Sequence, residues 1–123
     1  MDFSETYVNM CQKATEIQER WEPEQYDFAC DITDENPYVY GLEYGWADKT
    51  ESTFIPRQDQ LQQIYLSFNR TLSDPLWSMI FNFSKFGCNY KRRRFDSMEK
   101  IWLAFVMREK YKKEWVEDDW KET

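Results

Sequence analysis

Tyr38-Val39-Tyr40-Gly41-Leu42-Glu43-Tyr44-Gly45-Trp46 is the stretch that decides between an all-helical chain and a mixed one. Aromatic and β-branched residues crowd it, and they suit a pleated, half-buried surface. Its two glycines mark a bulge or bend. Two shorter runs flank it, Tyr26-Asp27-Phe28-Ala29-Cys30 before and Thr53-Phe54-Ile55 after. Polar turns separate the three, over 31–37 and 47–52. Short strands joined by short polar loops predict a small antiparallel meander.

Helices lie on both sides of this region. From about Ser4 to Glu22, Met10, Ala14, Ile17 and Trp21 recur in steps of four and three, which sets them on one helical face. Pro23 ends that helix, because the residue before a proline avoids the helical region. Pro56 opens the next helix, with Leu61, Ile64, Tyr65, Phe68 and Leu72 as its stripe. Ser73-Asp74-Pro75 caps another. Leu76, Trp77, Met79, Ile80, Phe81 and Phe83 make this helix apolar on most sides, and it is predicted to be the most buried element, stopping at Gly87. A last helix is predicted from Asp96, with Glu99 as capping-box partner and Met98, Ile101, Trp102, Phe105 and Val106 turned inward. Trp115 and Trp120 then sit among charges in a short strand or a tail folded onto the body. The expected fold is therefore α+β in a single domain, 1–123. It has an N-terminal helix, a small antiparallel three-stranded sheet, three helices packed on it, and a short C-terminal strand or tail.

Composition bounds the chemistry. The chain has 123 residues and a net charge of −7. Residues 1–60 carry 14 acids against 4 bases, and residues 61–123 carry 9 against 12. Such an acidic first half repels phosphate and disfavours direct nucleic-acid binding. Histidine is absent, which removes the commonest general base and metal ligand. With Gly41, Gly45 and Gly87 as its only glycines, the chain holds no phosphate-binding loop. Cys11, Cys30 and Cys88 are too widely spaced for a zinc pattern or a disulfide framework, and a reducing cytosol fits them. No signal peptide, membrane span, cofactor or metal is expected, and the chain reads as a binder and not an enzyme.

Two surfaces are candidates. Asp31, Asp34, Glu35, Glu43, Asp48 and Glu51 surround Tyr38, Tyr40, Tyr44 and Trp46. Strand alternation sets Tyr38, Tyr40 and Tyr44 on one face unless a bulge shifts the register. That face either covers the helices or forms an aromatic patch with an acidic rim, suited to a basic protein groove. Lys91, Arg92, Arg93 and Arg94, between Tyr90 and Phe95, either pair with the acids of the chain or, with Arg57, hold the phosphate of a nucleotide. An aromatic surface also suits homo-oligomerisation.

Three segments carry a resemblance: Phe54-Ile55-Pro56-Arg57-Gln58-Asp59-Gln60-Leu61-Gln62, then 97–107 with Lys110-Tyr111, and 11–21 at the start. In the same order they resemble small uncharacterised proteins encoded by phages and prophages of low-GC Gram-positive and gut bacteria. The middle, 31–46, and the basic run 91–94 carry no part of the resemblance. The resemblance implies a bacterial cytosol and action on host machinery. The anti-CRISPR proteins are the leading case, many of them small, acidic and non-enzymatic. The expected partner is then a bacterial defence protein such as a CRISPR nuclease. A sponge for a nucleotide signal and a homo-oligomeric structural or regulatory phage protein are the alternatives.

Overall fold

The structure, a computed structural model, describes residues 1–31, 37–39, 52–68, 74–89 and 94–123, with backbone alone at 37–39 and 88–89. These residues form an α+β fold. The helices are α1 (Glu5–Lys13), α2 (Thr15–Arg20), α3 (Gln58–Phe68), α4 (Pro75–Asn89) and α5 (Met98–Tyr111). The strands are β1 (Phe28–Asp31), β2 (Pro37–Val39), β3 (Ser52–Phe54), β4 (Lys113–Val116) and β5 (Asp119–Glu122).

The expected first helix is two helices. Ser4 caps α1 by accepting from the Tyr7 backbone N–H, and Ala14 then leaves helical geometry at ψ 71°. Neither proline nor glycine causes the break. The side chain of Gln18 spans it, docking on two backbone segments at once. Its Nε2 donates to the carbonyls of Cys11 (3.0 Å) and Phe54 (2.9 Å), and its Oε1 accepts from the Phe54 N–H (2.7 Å). Gln18 thus completes the outer edge of β3 as a neighbouring strand would. The apolar face still follows the periodicity, since Met10, Ala14, Ile17 and Trp21 are all buried.

The expected meander is also corrected. β1 lies in the middle, antiparallel to β2 on one edge and β3 on the other. The Trp21 ring stacks on Phe54 at 5.1 Å, and Tyr7 reaches across to donate its hydroxyl to the Pro56 carbonyl at 2.6 Å. The helices do not simply cover strands: α3 and α4 pack on α5, while α1 meets β3, α5 and β5.

α5 takes the central place that the apolarity of α4 suggested for α4. Trp102, Leu103, Ala104, Phe105, Val106 and Met107 are buried in succession, which needs neighbours on every side. α1, α3, α4 and β4 supply them. Ser97, not Asp96, caps α5, accepting from the Lys100 N–H, and Met98 is exposed instead of inward. α4 runs past Gly87 to Asn89.

After α5, Lys112 turns the chain in the left-handed region (φ 55°), its N–H closing onto the carbonyls of Arg108 and Met107. The tail is a hairpin, with Trp115 opposite Trp120. Glu117 and Asp118, at φ 49° and 64°, form its two-residue turn. The hairpin is fastened to the first helices. Trp120 Nε1 donates to the Met10 carbonyl (3.0 Å), and Lys113 pairs with Glu16 at 2.6 Å.

Candidate partner-binding surfaces

The strand ladder fixes where the acidic segment enters the fold. Cys30 lies opposite Pro37, and Asp31 opposite Ser52. The chain therefore leaves β1 and enters β2 and β3 at one end of the ladder. Asp31 is exposed at that end. Tyr38 is placed as a strand residue opposite Ala29. Asp34, Glu35, Glu43, Asp48 and Glu51 lie outside the described residues, as do Tyr40, Tyr44 and Trp46.

Other acidic residues, which sequence reasoning passed over, border a separate cleft. Glu22 and Glu24 are exposed and border a cleft of about 240 Å³, together with Asp27, Gln60 and the stacked Trp21 and Phe54 rings. Asp27 is buried. Its Oδ2 accepts from Trp21 Nε1 (2.9 Å) and the Glu24 N–H (3.0 Å), and its Oδ1 from Gln60 Nε2 (2.8 Å). These three donors hold the carboxyl group in place. Tyr26 stands 60% exposed beside this cleft, at φ 75°. A bulky residue in the left-handed region is an uncommon arrangement. Here Arg57 braces it by donating from Nη1 to the Tyr26 carbonyl at 3.2 Å.

Of the basic candidates, Arg57 is drawn into other work. Arg57 Nε also donates to Asp59 at 3.1 Å, so its guanidinium is committed within the fold. Arg94 lies over the Phe95 ring at 5.6 Å and lines a cleft of about 300 Å³ with Lys100, Asp96 and Trp115. Lys91, Arg92 and Arg93 lie outside the described residues.

α4 carries a surface that the sequence reading assigned to the core. Met79 is buried, Phe83 stacks on Trp102 at 3.9 Å, and Phe86 meets the edge of Phe105 at 5.5 Å. Around the other half of the helix, Leu76 is 55% exposed, Trp77 64%, Ile80 47% and Phe81 52%. The signal was visible as an uncharged run between Asp74 and Lys85.

Cys11 and Cys30 are free thiols with no exposure. Burial pushes the Cys11 thiol well above its ordinary value, so it stays protonated and unreactive. Among the described residues, no three His, Cys, Asp or Glu side chains gather to hold a metal ion. No helix of these residues is long and apolar enough to cross a membrane. Compared with protein-family models, curated proteins and solved structures, the chain matches none.

Proposed function

We propose that this chain is a phage-encoded, non-enzymatic inhibitor that docks an acidic, aromatic-containing face on the basic surface of a bacterial defence protein. A CRISPR nuclease is the leading case, since its nucleic-acid channel is lined with the lysines and arginines that such a face engages. The observation that carries the reading is the ladder register. Asp31, Pro37 and Ser52 sit at one end of it, and Asp31 is exposed there. Glu22, Glu24 and Asp27 add carboxylates around a separate cleft, which Arg20 also lines, toward the Phe28 end of β1.

In this mechanism the carboxylates steer the approach and the aromatic rings supply the desolvated contact. Arg57 is engaged by Asp59 and the Tyr26 carbonyl, which weighs against a nucleotide sponge that uses it for phosphate.

The test is a cleavage assay on a panel of purified CRISPR nucleases, titrated with the chain. Inhibition should saturate at a fixed ratio of chain to enzyme and weaken as salt rises. The triple reversal Asp34→Lys, Glu35→Lys, Glu43→Lys should raise the inhibitory concentration at least about tenfold and flatten the salt dependence. Undiminished cleavage across the panel, with no basic protein captured from a host lysate, would reject the proposal.

A further inference from the structure

The exposed half of α4 is one continuous strip. At 100° per residue, Leu76, Ile80, Ser84, Trp77 and Phe81 follow one another around the exposed side, with no charge among them. Two half-exposed aromatic rings and two branched aliphatic chains present on the order of 400 Å² of apolar surface. A standard interface buries about 800 Å² on each partner around a smaller apolar centre, so the strip is the right size for that centre.

Among the described residues of α4 and its ends, charges stand only at the ends of the strip. Asp74 precedes its first turn, where it accepts from the Trp77 N–H at 3.1 Å, and Lys85 follows its last turn, over the Phe81 ring at 4.7 Å. The helical rotation sets both on the same flank, beside Phe81. In an antiparallel helix pair, equal flanks of the two helices face each other. In a parallel pair, opposite flanks meet.

We infer that α4 is a self-association surface, on which a second copy of this chain packs its own α4 antiparallel about a two-fold axis. With the axis between Met79 and Ile80, Asp74 of each copy faces Lys85 of the other, about 16 Å along the helix from its own Lys85. The same register sets Ile80 against its symmetry mate. It brings Trp77 against Phe81 and the small Ser84 of the second copy, which leaves room for the indole. A parallel arrangement would leave both end charges unpaired.

Sedimentation equilibrium and light scattering across a range of concentrations test this. The expected species is twice the 15.2 kDa of one chain. Trp77→Ala and Ile80→Glu, both at exposed positions, should keep the circular dichroism spectrum and weaken dimerisation at least about tenfold. The end charges give a test of orientation. Asp74→Asn keeps a capping side chain. It should weaken the dimer of the parent chain about threefold, yet strengthen that of the Lys85→Glu variant, where it removes a repulsion.

A chain that stays monomeric at millimolar concentration overturns the inference. So does a dimer that survives Ile80→Glu, or a monomer that floats with vesicles of phosphatidylcholine and phosphatidylglycerol through α4. None of these measurements includes a defence protein, so their outcome is separate from that of the proposed inhibition.

Discussion

Replacing Gln18 by alanine removes three hydrogen bonds in one step. The side-chain amide joins Cys11 in the last turn of α1 to both backbone groups of Phe54 in β3. Each bond contributes about 1 kcal/mol net, and orphaned backbone groups cost more where water cannot reach them. The site is part-buried, so water replaces some of what is lost. Alanine returns a few tenths of a kcal/mol in helix propensity. Gln18→Ala should therefore cost about 2–3 kcal/mol and lower Tm by roughly 10 °C in a chain of this length. Urea unfolding followed by tryptophan fluorescence measures it. Gln18→Glu keeps the acceptor for the Phe54 N–H but sets a carboxylate against two carbonyl oxygens. It should be at least as destabilising at neutral pH and recover as acid protonates it. If Gln18→Ala falls within about 0.5 kcal/mol of the parent chain, Gln18 does not hold the α1–α2 break and the β3 edge together.

Two further perturbations address the ends of the chain. Burial pushes the Asp2 carboxyl up, but hydrogen bonds from Ser97 and Ser4 and the charge of Lys100 outweigh it and hold the pKa below the ordinary 3.8. Its stabilisation is complete above that value and is lost as pH falls through the lower, folded pKa. Urea midpoints followed from about pH 5 to pH 2 should fall more steeply for the parent chain than for Asp2→Asn, and parallel curves would refute the link. Glu117→Asn with Asp118→Gly places preferred residues at the two positive-φ positions of the terminal hairpin, so thermal unfolding should shift upward by about 1 kcal/mol of stability. An unchanged or lower Tm would show that the turn carries no backbone strain.

Periodicity made the inner faces legible. Met10, Ala14, Ile17 and Trp21 are buried as spaced, as are Leu61 and Tyr65 in α3 and Trp102, Phe105 and Val106 in α5. The order of burial between α4 and α5 was not legible, because both are apolar on most sides and only the neighbours of α5 decide it. Lys100 hides from pattern reading for a related reason. It is buried because Asp2 and Asp96 converge on it, and Asp2 lies at the far end of the chain. The break at Ala14 has no local signal, and the Gln18 side chain that spans it is held by a long-range bond to β3. The hairpin turn lacks glycine and asparagine, so only the paired tryptophans hinted at it. Of the candidate acidic face, the sequence showed the charge. The ladder placed Asp31 at one end of β1, and the structure added a separate cleft bordered by Glu22, Glu24 and Asp27 that no motif had marked.

Salt separates the two surfaces, because it acts on them with opposite sign. An acidic edge docking on a basic partner gains from unscreened attraction, so its affinity falls as ionic strength rises. Two copies meeting through α4 each bring a net charge of −7 to an uncharged strip. Their long-range repulsion opposes association and is screened by salt, while the apolar contact is untouched or strengthened. The Asp74–Lys85 pairs at the rim pull the other way, but exposed pairs are each worth less than about 1 kcal/mol. From about 50 mM to 500 mM sodium chloride, dimerisation should therefore hold or tighten while inhibition of a basic partner weakens. A dimer that dissociates with salt as steeply as the partner does would mean that charge, and not the Leu76–Phe81 strip, holds the copies together.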